Sequence, residues 1–174
     1  MLRCRIRPIV GYAMRNAREI VYRRATLNDA SLLVDYRIRF LNELYGQVEN
    51  DETAVVRESL ARYFQKAIPS GDFVAWVAEM DGRLVATSGM VVWQKPAIYG
   101  GVESGKLGYL LDFYTIPEAR KKGIATRLLE ELIKEARSLG LRYLHLHASK
   151  YGEPIYRKAG FTEPHLPELE LRLE

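Results

Sequence analysis

The chain has 174 residues, 48% of them hydrophobic and 28% charged, enough for one compact domain with a short appendage and too little for two independent domains. Cys4 is the only cysteine, which excludes an internal disulfide, a CxxC redox pair and a cysteine-rich zinc site and suits a reducing, cytoplasmic compartment. No uncharged run approaches the roughly 18 residues that a membrane-spanning helix needs. The net charge of +4 sits entirely in the first 19 residues, where five arginines face one acid, so the body is neutral and no nucleic-acid face is expected.

Residues 1–19 read as a basic tail, dispensable to the domain that spans 20–174, and Met14 is an alternative start. Ile20 to Arg24 has strand character. Capping chemistry at Thr26 to Asp29 then opens a helix whose apolar face runs through Leu33, Tyr36, Phe40 and Leu44, and Gly46 ends it. Thr53 to Ile68 repeats the helical period up to a Pro69-Ser70-Gly71 stop. Phe73 to Met80 and Arg83 to Trp93 flank the turn Asp81-Gly82, a strong hairpin signal.

The glycine-rich stretch 94–106 reads as a loop, and Leu107 to Ile116 as a central strand apolar on both faces. A helix is expected from about Arg120 to Leu139, then a strand over Leu141 to His147, a short helix over Pro154 to Lys158 and a last strand over Glu168 to Leu173. The order is β-α-α-β-β-β-α-β-α-β, an α/β (α+β) mixture around one sheet in a single domain.

The chemistry lies where the central strand runs into the following helix. Free N–H groups of that first turn and the helix dipole suit a pyrophosphate, the small residues Gly123 and Ala125 let it come close, and Arg120, Lys121 and Lys122 add positive charge. Neither a GxxxxGK nor a GxGxxG pattern occurs. What occurs is Arg-x-x-Gly-x-Ala at 120, 123 and 125, followed about thirty residues on by Pro154-Ile155-Tyr156-Arg157-Lys158-Ala159-Gly160-Phe161.

These segments resemble the coenzyme A signature and the C-terminal tyrosine segment of the GNAT superfamily of N-acetyltransferases. The resemblance covers the body from Ile20 to Leu173 and implies a mixed, mostly antiparallel central sheet flanked by helices. It also implies direct acetyl transfer from acetyl-CoA to the primary amine of a small molecule or peptide, without a metal.

By this likeness the cofactor would meet Phe113, Tyr114, Thr115 and Ile116 through the backbone. The loop Arg120, Lys121, Lys122, Gly123, Ile124, Ala125 and Thr126 would meet it at the phosphates, and Ser149 would stand where relatives carry asparagine. Lys121 also departs from a common glycine, which matters if the position has positive φ.

Tyr156 matches the family's general acid. For the base the residues offer Asp112 first, then Glu79, His145 and His147. Tyr45, Trp93 and Tyr99 are aromatic candidates for the acceptor side. A non-catalytic acyl-CoA sensor, an acyltransferase for longer chains or for protein amino termini, and a homodimer all stay open.

Overall fold

The structure is a computed structural model that describes residues 19–46, 50–97 and 105–173. The basic tail up to residue 18, with Cys4, and Tyr99 in the loop lie outside the described residues. In chain order the elements are β1 (Ile20–Arg24), α1 (Ala30–Tyr45), α2 (Asp51–Ser70), β2 (Phe73–Met80), β3 (Arg83–Gln94), β4 (Lys106–Thr115), α3 (Ile124–Ser138), β5 (Leu144–His145) and α4 (Glu153–Lys158). Single 3-10 turns, Leu27–Asp29 and Pro117–Ala119, precede α1 and α3.

The five strands lie in the order β1-β2-β3-β4-β5. Neighbours are antiparallel from β1 to β4, while β4 and β5 run parallel. Asp81 and Gly82 have φ of 53° and 72°, the pair of positive values that a tight hairpin turn demands and that Asp-Gly supplies.

Alternation along β2 divides the core. Phe73, Ala75 and Val77 pack with Leu33, Val34, Phe64 and Ala67 under α1 and α2. Val74 faces the other way, onto Met90, Leu110, Leu129, Leu132 and Ala136 under α3. One sheet is thus covered by two helices on one side and one on the other, as the apolar run of its central strand requires.

Several expected boundaries move, each for a local reason. The second helix continues through Pro69 to Ser70, because a proline within one turn of the end removes a single hydrogen bond, and Gly71 at φ 79° closes it. The third helix begins at Ile124 rather than Arg120, since Arg120 is extended and Lys121 and Gly123 are left-handed. The strand expected over Leu141 to His147 shrinks to Leu144–His145.

The last expected strand, Glu168 to Leu173, does not form. Its alternating Leu169, Leu171 and Leu173 are 90%, 82% and 84% exposed, and β5 pairs with β4 over two residues only. A period of two makes a strand only where a sheet edge is long enough to receive it. Among the described residues no helix is long and apolar enough to cross a membrane.

Candidate functional site

The site forms where β4 outruns β5. One edge of β4 is paired with β3 along its length, but the other meets β5 only at Gly108↔Leu144 and Tyr109↔His145. Gly108 permits this contact, because a Cβ there would stand 2.5 Å from Leu144 Cδ2 and 2.8 Å from Met90 Sδ. Beyond Tyr109 the β4 edge from Leu110 to Thr115 has no strand beside it among the described residues. Its backbone groups on that side are therefore available to an extended ligand.

A bulge shapes the same stretch. The β3 and β4 registers slip between Thr87 and Gly89, and Asp112 takes the left-handed conformation at φ 59°. Leu111 and Asp112 consequently face the same side, toward α1 and α2, and Thr87 Oγ1 donates to Asp112 O at 3.1 Å. The Asp112 carboxylate is buried and ion-paired with Arg37 of α1. Burial pushes this carboxyl up, and the guanidinium pulls it back.

At its far end β4 delivers the chain into the turn ahead of α3. The first helical backbone bond there runs from Arg127 N to Gly123 O, 3.1 Å, so the amides of Ile124, Ala125 and Thr126 precede the ladder. No side chain caps them. A Cβ built on Gly123, at φ 76°, meets nothing within 4 Å. Packing therefore does not demand glycine here; the backbone turn does, and the space it leaves lies directly before three unpaired N–H donors.

Lys121 also has a positive φ, 61°, so a lysine replaces the family's common glycine at a position where the conformation costs it about 1 kcal/mol.

Two basic residues of the turn stay exposed, Lys121 and Lys122, while Arg120 is held. Its Nη2 donates to both carboxylate oxygens of Glu43 at 2.8 and 2.7 Å, and its Nε donates to Thr115 O at 2.8 Å. Tyr114 Oη donates to the same Glu43, 2.9 Å, and stacks edge-on against Tyr36. Tyr114 thus faces α1, and Arg120 ties the turn before α3 to that helix.

Phe113 points to the opposite side, where its ring meets that of Tyr156 at 5.6 Å in a T-shaped contact. Phe161 holds the other flank of Tyr156 at 5.9 Å. Gly152 N donates to Ser149 Oγ at 3.2 Å, so Ser149 anchors the start of α4 that carries Tyr156. Burial pushes the Tyr156 phenol up to about 12, and no hydrogen bond from a described residue occupies its hydroxyl.

Of the remaining candidates, Glu79 lies two strands away from β4, bound by Arg23 Nε at 2.9 Å. His147 bonds Tyr109 Oη; Trp93 stacks on that same ring at 4.9 Å. His145 pairs with Tyr109 in the ladder, and Tyr45 is exposed at the end of α1. Ile116 N is taken by Val85 O, 3.0 Å. Among the described residues no cluster of three His, Cys, Asp or Glu could hold a metal ion.

Arg37 and Glu43 are the functional neighbours that sequence reasoning passed over. Both are charges set at the apolar spacing of α1, Arg37 four residues after Leu33 and Glu43 three after Phe40, and a charge at such a position announces a buried partner.

Residues 38–161 match the Acetyltransferase (GNAT) family. None of the curated proteins matches the sequence. Among solved structures, a predicted acetyltransferase with acetyl-CoA from Clostridium acetobutylicum is 34% identical at a TM-score of 0.80, covering 88% of this chain and 96% of that one. A GCN5-related N-acetyltransferase from Ralstonia eutropha JMP134 is 22% identical at 0.76, over 88% and 99% of the two chains. A glucosamine-6-phosphate N-acetyltransferase from Arabidopsis thaliana shares the fold at 22% identity and 0.64, over 88% and 98%. With the unpaired β4 edge and the uncapped turn before α3, these matches show that the chain belongs to the GNAT family of acetyltransferases.

Proposed function

We propose that this protein is an acetyl-CoA-dependent N-acetyltransferase that acts on a primary amine of a small molecule or peptide, by direct attack with both substrates bound, in the cytoplasm. One observation carries this: three uncapped amides open into empty space beside Gly123, at the end of a strand edge that β5 leaves unpaired. A pyrophosphate needs such donors, and a pantetheine arm needs such an edge. The 34% identical relative was solved with acetyl-CoA.

In this reading Ile124, Ala125 and Thr126 hold the phosphates through their N–H groups, with Lys121 and Lys122 supplying charge. Phe113 to Thr115 receive the arm through the backbone, and Ser149 acts by placing α4. Acetyl-CoA supplies an activated acetyl group and a thiolate leaving group. Arg120 contributes by holding the loop to Glu43.

Tyr156 sits across the gap on the α4 side. With its phenol pushed up to about 12, it keeps its hydrogen throughout the neutral range and donates to a sulfur that gains negative charge. Complete transfer from such a phenol to a thiolate of pKa about 8.5 would be uphill by about 5 kcal/mol. The hydroxyl therefore stabilises the departing sulfur as a donor, and the proton that finally reaches sulfur comes from the amine. Tyr156→Phe is expected to lower the chemical rate at least tenfold, with melting temperature and CoA affinity nearly unchanged. Single-turnover kinetics check this, and an unaltered rate would remove Tyr156 from the mechanism.

Asp112 lacks the reach for proton acceptance, since its carboxylate is buried and held by Arg37. We assign the pair to fixing α1 against the bulge of β4, which sets the wall of the acceptor side.

Thiol release from acetyl-CoA, followed across small amines, polyamines, aminoglycosides and peptides, tests the function. Release with one amine class supports it. Binding of acetyl-CoA without release across the panel would make the protein an acyl-CoA sensor.

A further inference from the structure

We propose that Tyr109, His147 and Glu168 form a proton relay that takes the proton from the acceptor amine and passes it to solvent. The inference rests on the N-acetyltransferase reading and supplies the proton acceptor which that reading lacks.

Three observations place the relay. Tyr109 is the last β4 residue paired with β5, so the gap between the strands opens directly beyond it. Counted back from Thr115, beside the phosphate turn, to Leu110, β4 covers about 17 Å, comparable to an extended pantetheine arm. The reacting end of an arm anchored at 124–126 therefore falls beside Tyr109. Tyr109 shares a sheet face with Leu111, and the bulge adds Asp112 to it. That face is opposite to the one carrying Phe113 and Tyr156, so the two tyrosines flank the gap from its two sides.

The hydrogen positions follow from donor chemistry. His147 Nε2 faces Glu168 Oε2 at 3.4 Å. A carboxylate can only accept, so the relay requires the hydrogen on Nε2, which leaves Nδ1 of the neutral ring as an acceptor. Tyr109 Oη lies 2.5 Å from that Nδ1 and is the donor. The His147 backbone amide also reaches this oxygen, which leaves it one lone pair for a further donor, and the stacked Trp93 ring fixes the phenol in place.

When an ammonium group docks against Tyr109, its N–H proton moves to Oη as the Tyr109 hydrogen moves to His147 Nδ1. The amine then holds the lone pair that attacks. His147 becomes an imidazolium beside Glu168, and its exposed ring returns the proton to water. A lysine-like ammonium of pKa about 10.4 is almost wholly protonated at pH 7, and removing that proton is the work of the relay.

The charged groups facing it are Glu168 on the C-terminal segment, with Glu163, His165 and Glu170 around the adjoining 640 Å³ cavity. Arg37 of α1 and Glu168 act on the Tyr109 phenol itself, and His145 lies on the same strand. Glu168 is a positioning residue.

Two measurements on the full chain test the relay. Nitrogen-15 spectra of the imidazoles are expected to show neutral His147 as the Nε2–H tautomer, with that preference weakened in Glu168→Gln. The second compares pH profiles of kcat/KM for wild type, His147→Gln and Tyr109→Phe, using whichever of putrescine, glucosamine and a short peptide with a free amino terminus reacts fastest. Because the substrate docks as its ammonium, wild type is expected to hold kcat/KM from the amine's own pKa down to neutral pH. Both variants need the free amine, so their kcat/KM is expected to fall about tenfold per pH unit below the amine's pKa, with at least a tenfold loss in kcat at neutral pH and normal acetyl-CoA binding. His147 is exposed, so its replacement leaves the core intact.

An Nδ1–H tautomer, or unchanged profiles in both variants, would overturn the relay. The tautomer decides this even if no amine of the panel reacts. Loss of acetyl-CoA binding in the wild type would instead overturn the underlying acetyltransferase reading.

Discussion

Thr126→Glu is expected to weaken CoA binding by about tenfold to a hundredfold while leaving the free protein as stable as before or more so, by about 0.3–1 kcal/mol. The opposite signs come from one piece of physics. Thr126 is exposed in the first turn of α3, whose amides are uncapped, and a carboxylate there complements the helix dipole and the orphan N–H groups. A pyrophosphate needs those same donors, and a fixed negative charge about 5 Å away opposes it by about 2 kcal/mol or more. Calorimetric titration with CoA, paired with thermal unfolding of the free variant, reads both effects. A variant that gains stability and binds CoA like wild type would show that the turn is only a helix start.

Asp112→Asn is expected to destabilise the fold by about 2–3 kcal/mol, the largest stability effect of any single substitution proposed for this site. The change leaves the partly buried Arg37, 24% exposed, beside a neutral amide, and solvent at its exposed edge reduces the cost from that of a fully buried charge. Asparagine tolerates the left-handed backbone that Asp112 adopts, so lost charge rather than strain is being measured. The double variant Arg37→Met with Asp112→Asn should recover a large part of the loss, because neither charge then remains unpaired. Urea unfolding of the two single variants and the double variant gives the cycle, and strictly additive losses would show that the two residues are not coupled.

The parts of the fold that were legible beforehand rest on short-range physics. Asp81-Gly82 dictates its turn through two positive φ angles, and Gly46 closes α1 from the left-handed region in the same way. The apolar run of β4 announces a strand covered on both sides. The tight turn before α3 was readable because Gly123 supplies the left-handed backbone it needs.

What stayed hidden depends on partners far along the chain. Leu169, Leu171 and Leu173 alternate as a strand should, yet no edge receives them, and nothing in those residues records that β5 is two residues long. Arg120 looks like a phosphate ligand by charge. Its commitment to Glu43 spans 77 positions and becomes visible only once α1 lies against β4. Asp112 likewise reads as a free carboxylate until Arg37 arrives from 75 positions away. His147 and Tyr109, 38 positions apart, join only through the parallel pairing of β4 and β5.

The central claim is that the uncapped turn before α3 grips the diphosphate of acetyl-CoA while the free edge of β4 receives its arm. Backbone amide spectra recorded during titration with CoA test it directly. The largest shifts are expected at Gly123 to Thr126 and along Leu110 to Thr115, with little change on β1. Absence of binding, or shifts confined to another surface, would contradict the account.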